Sequence, residues 1–196
     1  MTNGKDRNKI HSSGQILING QKVEEIGRSS LRHNVVIVLQ DTVLFSDTVR
    51  NNLKYGNENA TQEQLEQAAA LSRCEEMIRN LPDGYDTVLT GSGENISQGQ
   101  QQLLAIARAF VADPKILIMD EATSNVDTRT EQQIQQAMRK LMEHKTCFVI
   151  AHRLSTVQNA DEILVVNHGE IVEQGTHGTL MEREGFYYQL YRAQFE

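Results

Sequence analysis

The stretch that decides the fold reads Ile116-Leu117-Ile118-Met119-Asp120-Glu121, an apolar run that ends in two acids. A continuous apolar run of strand length is typical of a strand buried on both faces of a parallel sheet. Such a strand brings its last side chains to a fixed point at one edge of the sheet. Asp120 is suited there to hold Mg²⁺, and Glu121 is suited to polarise a water molecule as a general base. An ordinary strand end fits the same residues, so this stretch alone leaves the function open.

Two further apolar runs predict buried strands over residues 35–39 and 146–151. Gln40 follows the first run and His152 follows the second. Helical patterns separate the strands in the second half of the chain, which predicts an α/β fold with a parallel sheet. Ligands of such folds bind at the carboxyl ends of the strands. Gln40, the two acids and His152 therefore form a candidate site, while His152 taken singly also fits a hydrogen-bonded structural histidine.

Helical periodicity and turn residues organise the rest of the chain. Asn19-Gly20 and His168-Gly169 predict tight hairpin turns between short strands. Apolar residues at helical spacing predict helices over residues 61–78, 97–112, 131–143 and 180–195. Thr61 and Gln64 have the spacing of a capping box at the start of the first of these helices.

The helix that begins at Ser97 opens with the sequence Ser97-Gln98-Gly99-Gln100. Ser97 and Gln100 have the spacing of a capping box, which is a purely structural interpretation. The same helix start exposes N–H groups and the positive end of a helix dipole, which suits a phosphate. Gly99 lets backbone come close to such a ligand. Both interpretations can hold together, since a phosphate can replace water at the exposed donors.

Composition limits the partners that the chain can have. Its 196 residues carry a formal net charge of −7, which argues against a broad nucleic-acid-binding surface. Cys74 and Cys147 share no metal-ligand spacing and fit small core residues. No apolar run approaches the roughly 20 residues that cross a bilayer, and residues 1–13 are polar and unlike a signal peptide. We therefore expect cytosolic folding, with membrane association only through a partner.

The order and spacing of several motifs resemble the nucleotide-binding domain of ABC transporters, the ATP-binding cassette, from about residue 14 to residue 194. The segments that carry the resemblance are Gly99-Gln100-Gln101-Gln102-Leu103, Asp120-Glu121-Ala122-Thr123-Ser124, Asp127 and Ala151-His152-Arg153-Leu154-Ser155-Thr156. The resemblance implies a RecA-like P-loop NTPase core with a mostly parallel sheet, here incomplete, and an inserted α-helical subdomain at about residues 62–112. It implies ATP and Mg²⁺ as cofactors.

Four residues acquire roles around the reacting phosphate from the resemblance. Gln40 matches the Q-loop glutamine, which contacts Mg²⁺ and the attacking water. Asp120 and Glu121 match the Walker B pair, the first a magnesium ligand and the second the catalytic glutamate. His152 matches the switch histidine that contacts the γ-phosphate. Glu121 and His152 are thus expected to be catalytic, and Asp120 and Gln40 to hold Mg²⁺.

The remaining nucleotide-binding expectations concern the contact between two cassettes. Residues 96–100 match the signature motif, which in this family contacts ATP held by the opposite subunit, so Ser97, Gly99 and Gln100 are expected to face that nucleotide. Asp127 matches the D-loop, which couples the two sites. Gln98 stands where the motif usually has its first glycine, a form familiar among exporters that pair with a different subunit. The second cassette is therefore expected to complete either a homodimer or a heterodimer.

Three segments resemble exporters in particular. They are residues 44–53, 81–87 and 173–177, and the likeness is to bacterial exporters of the multidrug and lipid type. The cassette of such exporters is fused behind membrane helices. The resemblance implies contact with the coupling helices of a transmembrane domain, at the cytoplasmic face of the membrane. That domain is absent from this chain, and no nucleic-acid partner is implied.

One motif of the family is missing from the sequence. No G-x-x-x-x-G-K-[ST] loop occurs, and Gly4-Lys5 lacks the upstream glycine and the following Ser or Thr. We expect residues 1–13 to be an irregular lead-in and residues 14–196 to be a cassette that lacks this Walker A loop and one central strand. The backbone N–H cradle and lysine of the loop supply much of the phosphate binding. We therefore expect this chain to be a fragment that binds MgATP poorly by itself.

Two other functions fit parts of the sequence. One is a non-enzymatic remnant or partner fragment that contributes only the signature motif to another cassette's nucleotide. The other is a soluble ABC ATPase of DNA maintenance. The sequence has no coiled-coil insertion and no basic stripe, which disfavours the DNA-maintenance class. The exporter cassette is the function that the sequence favours.

Overall fold

The computed structural model of the chain describes residues 14–39, 42–91, 93–120, 126–151 and 154–195. Gln40, Glu121 and His152 lie outside these described residues, as does the predicted lead-in over residues 1–13. The remaining predicted site residues lie within them.

The chain enters the fold through a short hairpin at the predicted turn. Strand β1, Leu17–Ile18, pairs antiparallel with β2, Gln21–Lys22. Asn19 and Gly20 between them have φ angles of 50° and 81°. Two consecutive residues with positive φ form the tight turn that an Asn-Gly pair favours. The turn chemistry was therefore sufficient to locate this hairpin.

A parallel sheet holds the predicted buried strands. β3 is Val35–Val38, β4 is Ile116–Asp120 and β5 is Thr146–Ile150, in the spatial order β3-β4-β5. The strands are in register, with Val38 beside Met119 and Met119 beside Val149. All three consequently end at the same edge of the sheet. The predicted α/β fold with a parallel sheet is confirmed.

A second antiparallel hairpin follows late in the chain. β6, Ile163–Asn167, pairs with β7, Glu170–Gly175, around the predicted His168-Gly169 turn. The hairpin and the helices after it enclose a small core of their own, formed by Ile163, Val165, Leu180 and Tyr187.

Helices occupy most of the remaining described residues. In chain order they are α1 Arg28–Asn34, α2 Val49–Lys54, α3 Gln62–Leu71, α4 Glu75–Arg79, α5 Gln98–Ala112, α6 Thr128–Met142, α7 Leu154–Val157, α8 His177–Glu182 and α9 Phe186–Phe195. Thr61 caps α3 through a capping box with Gln64, as the sequence predicted.

Two predicted helices are each interrupted in the structure. The predicted helix over residues 61–78 breaks between α3 and α4, where Arg73 has a φ of 65°. Apolar periodicity missed the break because residues on both sides, such as Leu65 and Ile78, face the same core. The predicted tail helix likewise divides into α8 and α9 around Glu184, whose φ is 50°. Positive φ at a non-glycine residue leaves little trace in a sequence pattern.

The main core lies between one face of the sheet and the two long helices. Leu117 of β4, Leu104 of α5 and Ile134 and Leu141 of α6 are all at most 2% exposed. The turn after α2 also approaches α5 closely, since a Cβ added at Gly56 would lie 2.3 Å from the Arg108 carbonyl oxygen. The packing of α5 against several elements fixes the position of both its ends.

The opposite face of the sheet is apolar and exposed. Ile37, Phe148 and Ile150 are each 55–56% exposed, and Ile37, Ile118 and Phe148 form one row across the three strands. Within the described part of the chain, β5 pairs with β4 alone. Parallel sheets are usually covered on both faces, so this surface has the character of an interior rather than of a solvated exterior.

Candidate functional site

The start of α5 is closed by a complete capping box. The Ser97 hydroxyl oxygen accepts the Gln100 N–H at 3.3 Å, and the Ser97 N–H donates to Gln100 Oε1 at 2.9 Å. The N–H groups of Gln98 and Gly99 have no intrahelical acceptor, because they belong to the first turn. This helix end therefore combines a fixed backbone with donors and a positive dipole end, which is the chemistry that a phosphate oxygen requires.

Gly99 is buried against the beginning of α6. A Cβ added at Gly99 would lie 2.4 Å from Thr130 Cγ2 and 3.1 Å from Val126 Cγ1. Real Cβ atoms do not approach neighbours as closely as the first of these distances. A side chain at residue 99 would therefore clash with the beginning of α6 in this chain.

Asp127 is the N-cap residue of α6. Its Oδ1 accepts the Thr130 N–H at 3.0 Å, and α6 begins at Thr128. The helix predicted over residues 131–143 therefore begins three residues earlier than predicted. Its first residues are polar, so the apolar pattern gave no sign of them. The hydrogen bond from the Thr130 backbone lowers the pKa of the Asp127 carboxyl, and the Thr130 hydroxyl acts in the same direction.

The lowered pKa of Asp127 predicts a pH-dependent contribution to stability. A carboxyl whose pKa is depressed by folding stabilises the folded state above its unfolded pKa, about 3.9, and loses this effect as pH falls through the folded pKa. Asn is also a good N-cap but carries no charge. We expect Asp127→Asn to unfold at lower urea than the wild type near pH 7, with the difference shrinking below about pH 4. Urea titrations across this range measure it, and a gap that stays constant would contradict the prediction.

Asp120 lies half-buried at the end of β4, beside Ile150 at the end of β5. The strand backbone fixes this carboxylate at the sheet edge where β3 and β5 also end. A single carboxylate together with phosphate oxygens is a usual way for proteins to hold Mg²⁺. The donor chemistry therefore fits the expected metal. Within the described ranges no cluster of three or more His, Cys, Asp or Glu side chains could hold a metal on protein ligands alone.

The structure brings together part of the predicted site. The turn at Ser97, Gly99 and Gln100 packs directly against the segment that carries Asp127, through Thr130. Gln40, Glu121 and His152 lie outside the described residues, so their predicted roles stay predictions.

Two residues of structural importance were not predicted, one at this site and one farther along α5. Thr130 lies between Gly99 and Asp127, and Arg108 lies half-buried on α5. A charged residue in the apolar sequence of α5 was the only signal for Arg108, and none was available for Thr130. The buried Cys74 and the half-buried Cys147 are both free thiols, as expected of small core residues.

No helix within the described ranges has the length and apolar character that crossing a membrane requires.

Comparisons with known proteins agree with this arrangement. The family model described as ABC transporter matches residues 5–124. The ABC transporter ATP-binding protein YfiC of Bacillus subtilis is 51% identical over 94% of this chain and 31% of its own length. The fatty acid ABC transporter ATP-binding/permease protein of Mycobacterium tuberculosis is 50% identical over 92% of this chain and 29% of its own length. The ATP-dependent lipid A-core flippase of Syntrophus aciditrophicus is 47% identical over 94% of this chain and 31% of its own length.

A solved structure extends the likeness to three dimensions. A bacterial Atm1-family ABC exporter with ATP bound matches with a TM-score of 0.85 and 43% identity, over 93% of this chain and 32% of that one. The chain thus spans about a third of the length of the relatives it matches. The fold is that of an ABC transporter ATP-binding domain, and the chain belongs to the ABC transporter family.

Proposed function

We propose that this chain is the ATP-binding cassette of an exporter and that the complete transporter hydrolyses ATP to drive efflux across the membrane. The observation that carries the proposal is the common edge of β3, β4 and β5. In the sequence, Gln40, Glu121 and His152 each follow one of these strand ends within two residues. That edge is where ligands of parallel α/β sheets bind.

The roles of the residues at this edge follow from their chemistry. Asp120 and Gln40 hold Mg²⁺, which supplies charge neutralisation for the transferred phosphoryl group when it is bound. Glu121 accepts the proton of the attacking water, and His152 donates a hydrogen bond toward the γ-phosphate. These assignments rest on the family likeness and on the ends of the strands.

A second cassette completes the site. Ser97, Gly99 and Gln100 present a helix N-terminus to the phosphates of ATP held by that second cassette, and Asp127 lies at the contact between the two. The capping box supports this role, because it fixes the backbone of the helix end before any ligand arrives. The partner is either an identical or a different subunit.

An exposed aromatic ledge suits contact with a transmembrane domain. The rings of Phe45 and Tyr55 lie 4.6 Å apart and are 39% and 66% exposed. Aromatic side chains that stay exposed beside one another are typical of protein contact surfaces. We propose that coupling helices of the transmembrane domain dock on this ledge, which places the cassette at the cytoplasmic face of the membrane.

Calorimetry with MgATP tests whether ATP binding requires the phosphate loop, which this sequence does not contain. We expect no measurable binding to this chain at ATP concentrations up to about 1 mM, and tight binding to a version extended upstream to include a phosphate loop. The complete transporter should then hydrolyse ATP. Tight binding by this chain alone would contradict the account of the loop, and a complete transporter that hydrolyses no ATP would contradict the proposed function.

A non-enzymatic role is the second candidate. The start of α5 is fully formed although the sequence lacks the phosphate loop, so this chain could lend Ser97 and Gly99 to a partner's nucleotide without binding its own. Adding this chain to an extended cassette that carries a phosphate loop distinguishes the two. Stimulation of the extended cassette by a chain that binds no ATP itself favours the second candidate.

A further inference from the structure

Thr130 on the first turn of α6 touches both segments that the proposed site contributes to the contact between cassettes. Its Cγ2 occupies the space next to Gly99, where a Cβ would come within 2.4 Å. Its backbone N–H donates to Asp127 Oδ1 at 3.0 Å. One residue therefore joins the turn at Ser97 to the segment at Asp127.

The contact is rigid on both sides. Gly99 is the second residue of α5 and lies inside the capping box formed by Ser97 and Gln100, so moving its backbone would break those hydrogen bonds. Thr130 is the third residue of α6, and its own N–H fixes the cap. Close-packed interiors transmit displacement instead of absorbing it. A shift of the Asp127 segment must consequently move the turn at Gly99.

We propose that Thr130 is a positioning residue that holds the turn at Ser97 and Gly99 in fixed relation to Asp127, so that both segments reach a second cassette as one unit. The inference rests on the proposed function and deepens it. It also explains why residue 99 is a glycine. Thr130 of the same chain, and not an approaching phosphate, leaves no room for a side chain there.

A rescue experiment separates these two explanations for the glycine. Gly99→Ala introduces the clash, and Thr130→Ser removes the methyl group that causes it while keeping the hydroxyl and the backbone N–H. If Thr130 is the obstacle, the second substitution should repair the first. If a bound phosphate is the obstacle instead, Thr130→Ser should not repair Gly99→Ala, because the alanine methyl group would still point at the ligand.

The chain offers a closely matched control. Gly178 is the second residue of α8 and follows a Thr cap, as Gly99 is the second residue of α5 and follows a Ser cap. A Cβ at Gly178 would meet nothing within 4 Å. Gly178→Ala therefore tests the effect of alanine at this helix position without the clash.

Urea unfolding of the purified chain is the first measurement. We expect Gly99→Ala to lower the midpoint by about 1 M urea, Gly178→Ala to leave it unchanged or raise it slightly, and Thr130→Ser to restore most of the midpoint in the Gly99→Ala background. Effects of Gly99→Ala and Thr130→Ser that simply add would overturn the packing claim, since residues in contact should couple.

Hydrolysis by the complete transporter is the second measurement, with rates normalised to nucleotide sites. We expect Gly99→Ala to lower kcat roughly 10- to 100-fold with KM for ATP little changed, and the double variant to return to within about threefold of Thr130→Ser. A merely structural role would lower the amount of folded transporter and leave kcat per site unchanged. A double variant as slow as Gly99→Ala would overturn the inference. A wild-type transporter without ATPase activity would instead refute the proposed function, and the unfolding measurement would still decide the packing claim.

Discussion

Arg108→Met will lower the free energy of unfolding of this chain by about 3 kcal/mol, because the buried Asn52 loses a charged donor at both its backbone carbonyl and its side-chain oxygen. Arg108 Nε donates to the Asn52 carbonyl at 2.9 Å, Nη1 to the Val43 carbonyl at 2.9 Å and Nη2 to Asn52 Oδ1 at 3.0 Å. Methionine keeps much of the apolar stem but can donate to none of them. The two Asn52 oxygens would then be left with unmet hydrogen-bonding capacity, whereas the exposed Val43 carbonyl can accept from water instead.

The setting of the guanidinium explains why this arginine is exceptional. Burial lowers the pKa of Arg108, and no carboxylate forms a salt bridge with it within the described part of the chain. The rings of Phe45 and Tyr55 lie 5.4 Å and 5.5 Å from its central carbon, which partly replaces the lost hydration through cation–π contacts. Carbonyls and ring faces thus stabilise a charge that an acid would normally balance.

Urea denaturation followed by circular dichroism measures the effect. Arg79→Met is the matched control, since Arg79 forms an exposed pair with Glu75 on α4 and its loss should change the free energy of unfolding by less than about 0.5 kcal/mol. Arg108→Lys should fall between the wild type and Arg108→Met, because an ammonium keeps the charge but cannot reach three acceptors in fork geometry. A loss below about 1 kcal/mol for Arg108→Met would show that the carbonyls find other donors.

The same hydrogen bonds connect Arg108 to the surface proposed to contact the transmembrane domain. Asn52 is 1% exposed and its side chain also binds the backbone of Phe45 in both directions, at 2.9 Å each. Arg108 therefore ties α5 to the aromatic ledge of Phe45 and Tyr55. At about 1.5 Å per residue, Arg108 lies roughly 16 Å along α5 from Ser97. A single helix thus spans the distance between the proposed docking ledge and the turn that we propose faces a second cassette.

The features that could be predicted from the sequence are those determined by interactions between residues close together in the chain. The Thr61 and Ser97 capping boxes, the Asn19-Gly20 turn and the apolar strands around Leu117 each depend on residues within a few positions of one another. Their energies favour one local conformation in any surroundings. The structure accordingly has them where the spacing placed them.

The features that escaped prediction depend on contacts between distant segments. Arg73 adopts its positive φ because α3 and α4 both pack on one core, and nothing in the neighbouring sequence requires it. Thr130 matters through Gly99, and Arg108 through Val43 and Asn52, pairs that lie 31, 65 and 56 positions apart. Single-sequence periodicity carries no information about such pairs. The strand-end pattern suggested the roles proposed for Asp120 and Glu121, whereas the roles proposed for Gln40 and His152 came from the family likeness.

Glu121→Gln will reduce ATP hydrolysis by the complete transporter at least about 100-fold while leaving ATP binding nearly intact. The expectation depends on the proposed function, in which Glu121 accepts a proton from the attacking water directly after the strand that ends at Asp120. Glutamine has nearly the same shape and can still accept a hydrogen bond from the water. It cannot take up the proton, so the loss should fall on kcat and not on affinity.

Phosphate release and equilibrium ATP binding by the same reconstituted protein separate the two effects. Glu63→Gln is the control, since Glu63 is an exposed residue in the first turn of α3 and far in sequence from the strand ends. It should change neither quantity. Because Asp120 is fixed by the strand, Asp120→Asn should instead weaken the binding of Mg²⁺ with ATP and lower the rate as a consequence. A Glu121→Gln transporter that retains more than about a tenth of the wild-type kcat would show that another group takes the proton, and would remove Glu121 from the proposed mechanism while leaving the metal role of Asp120 standing.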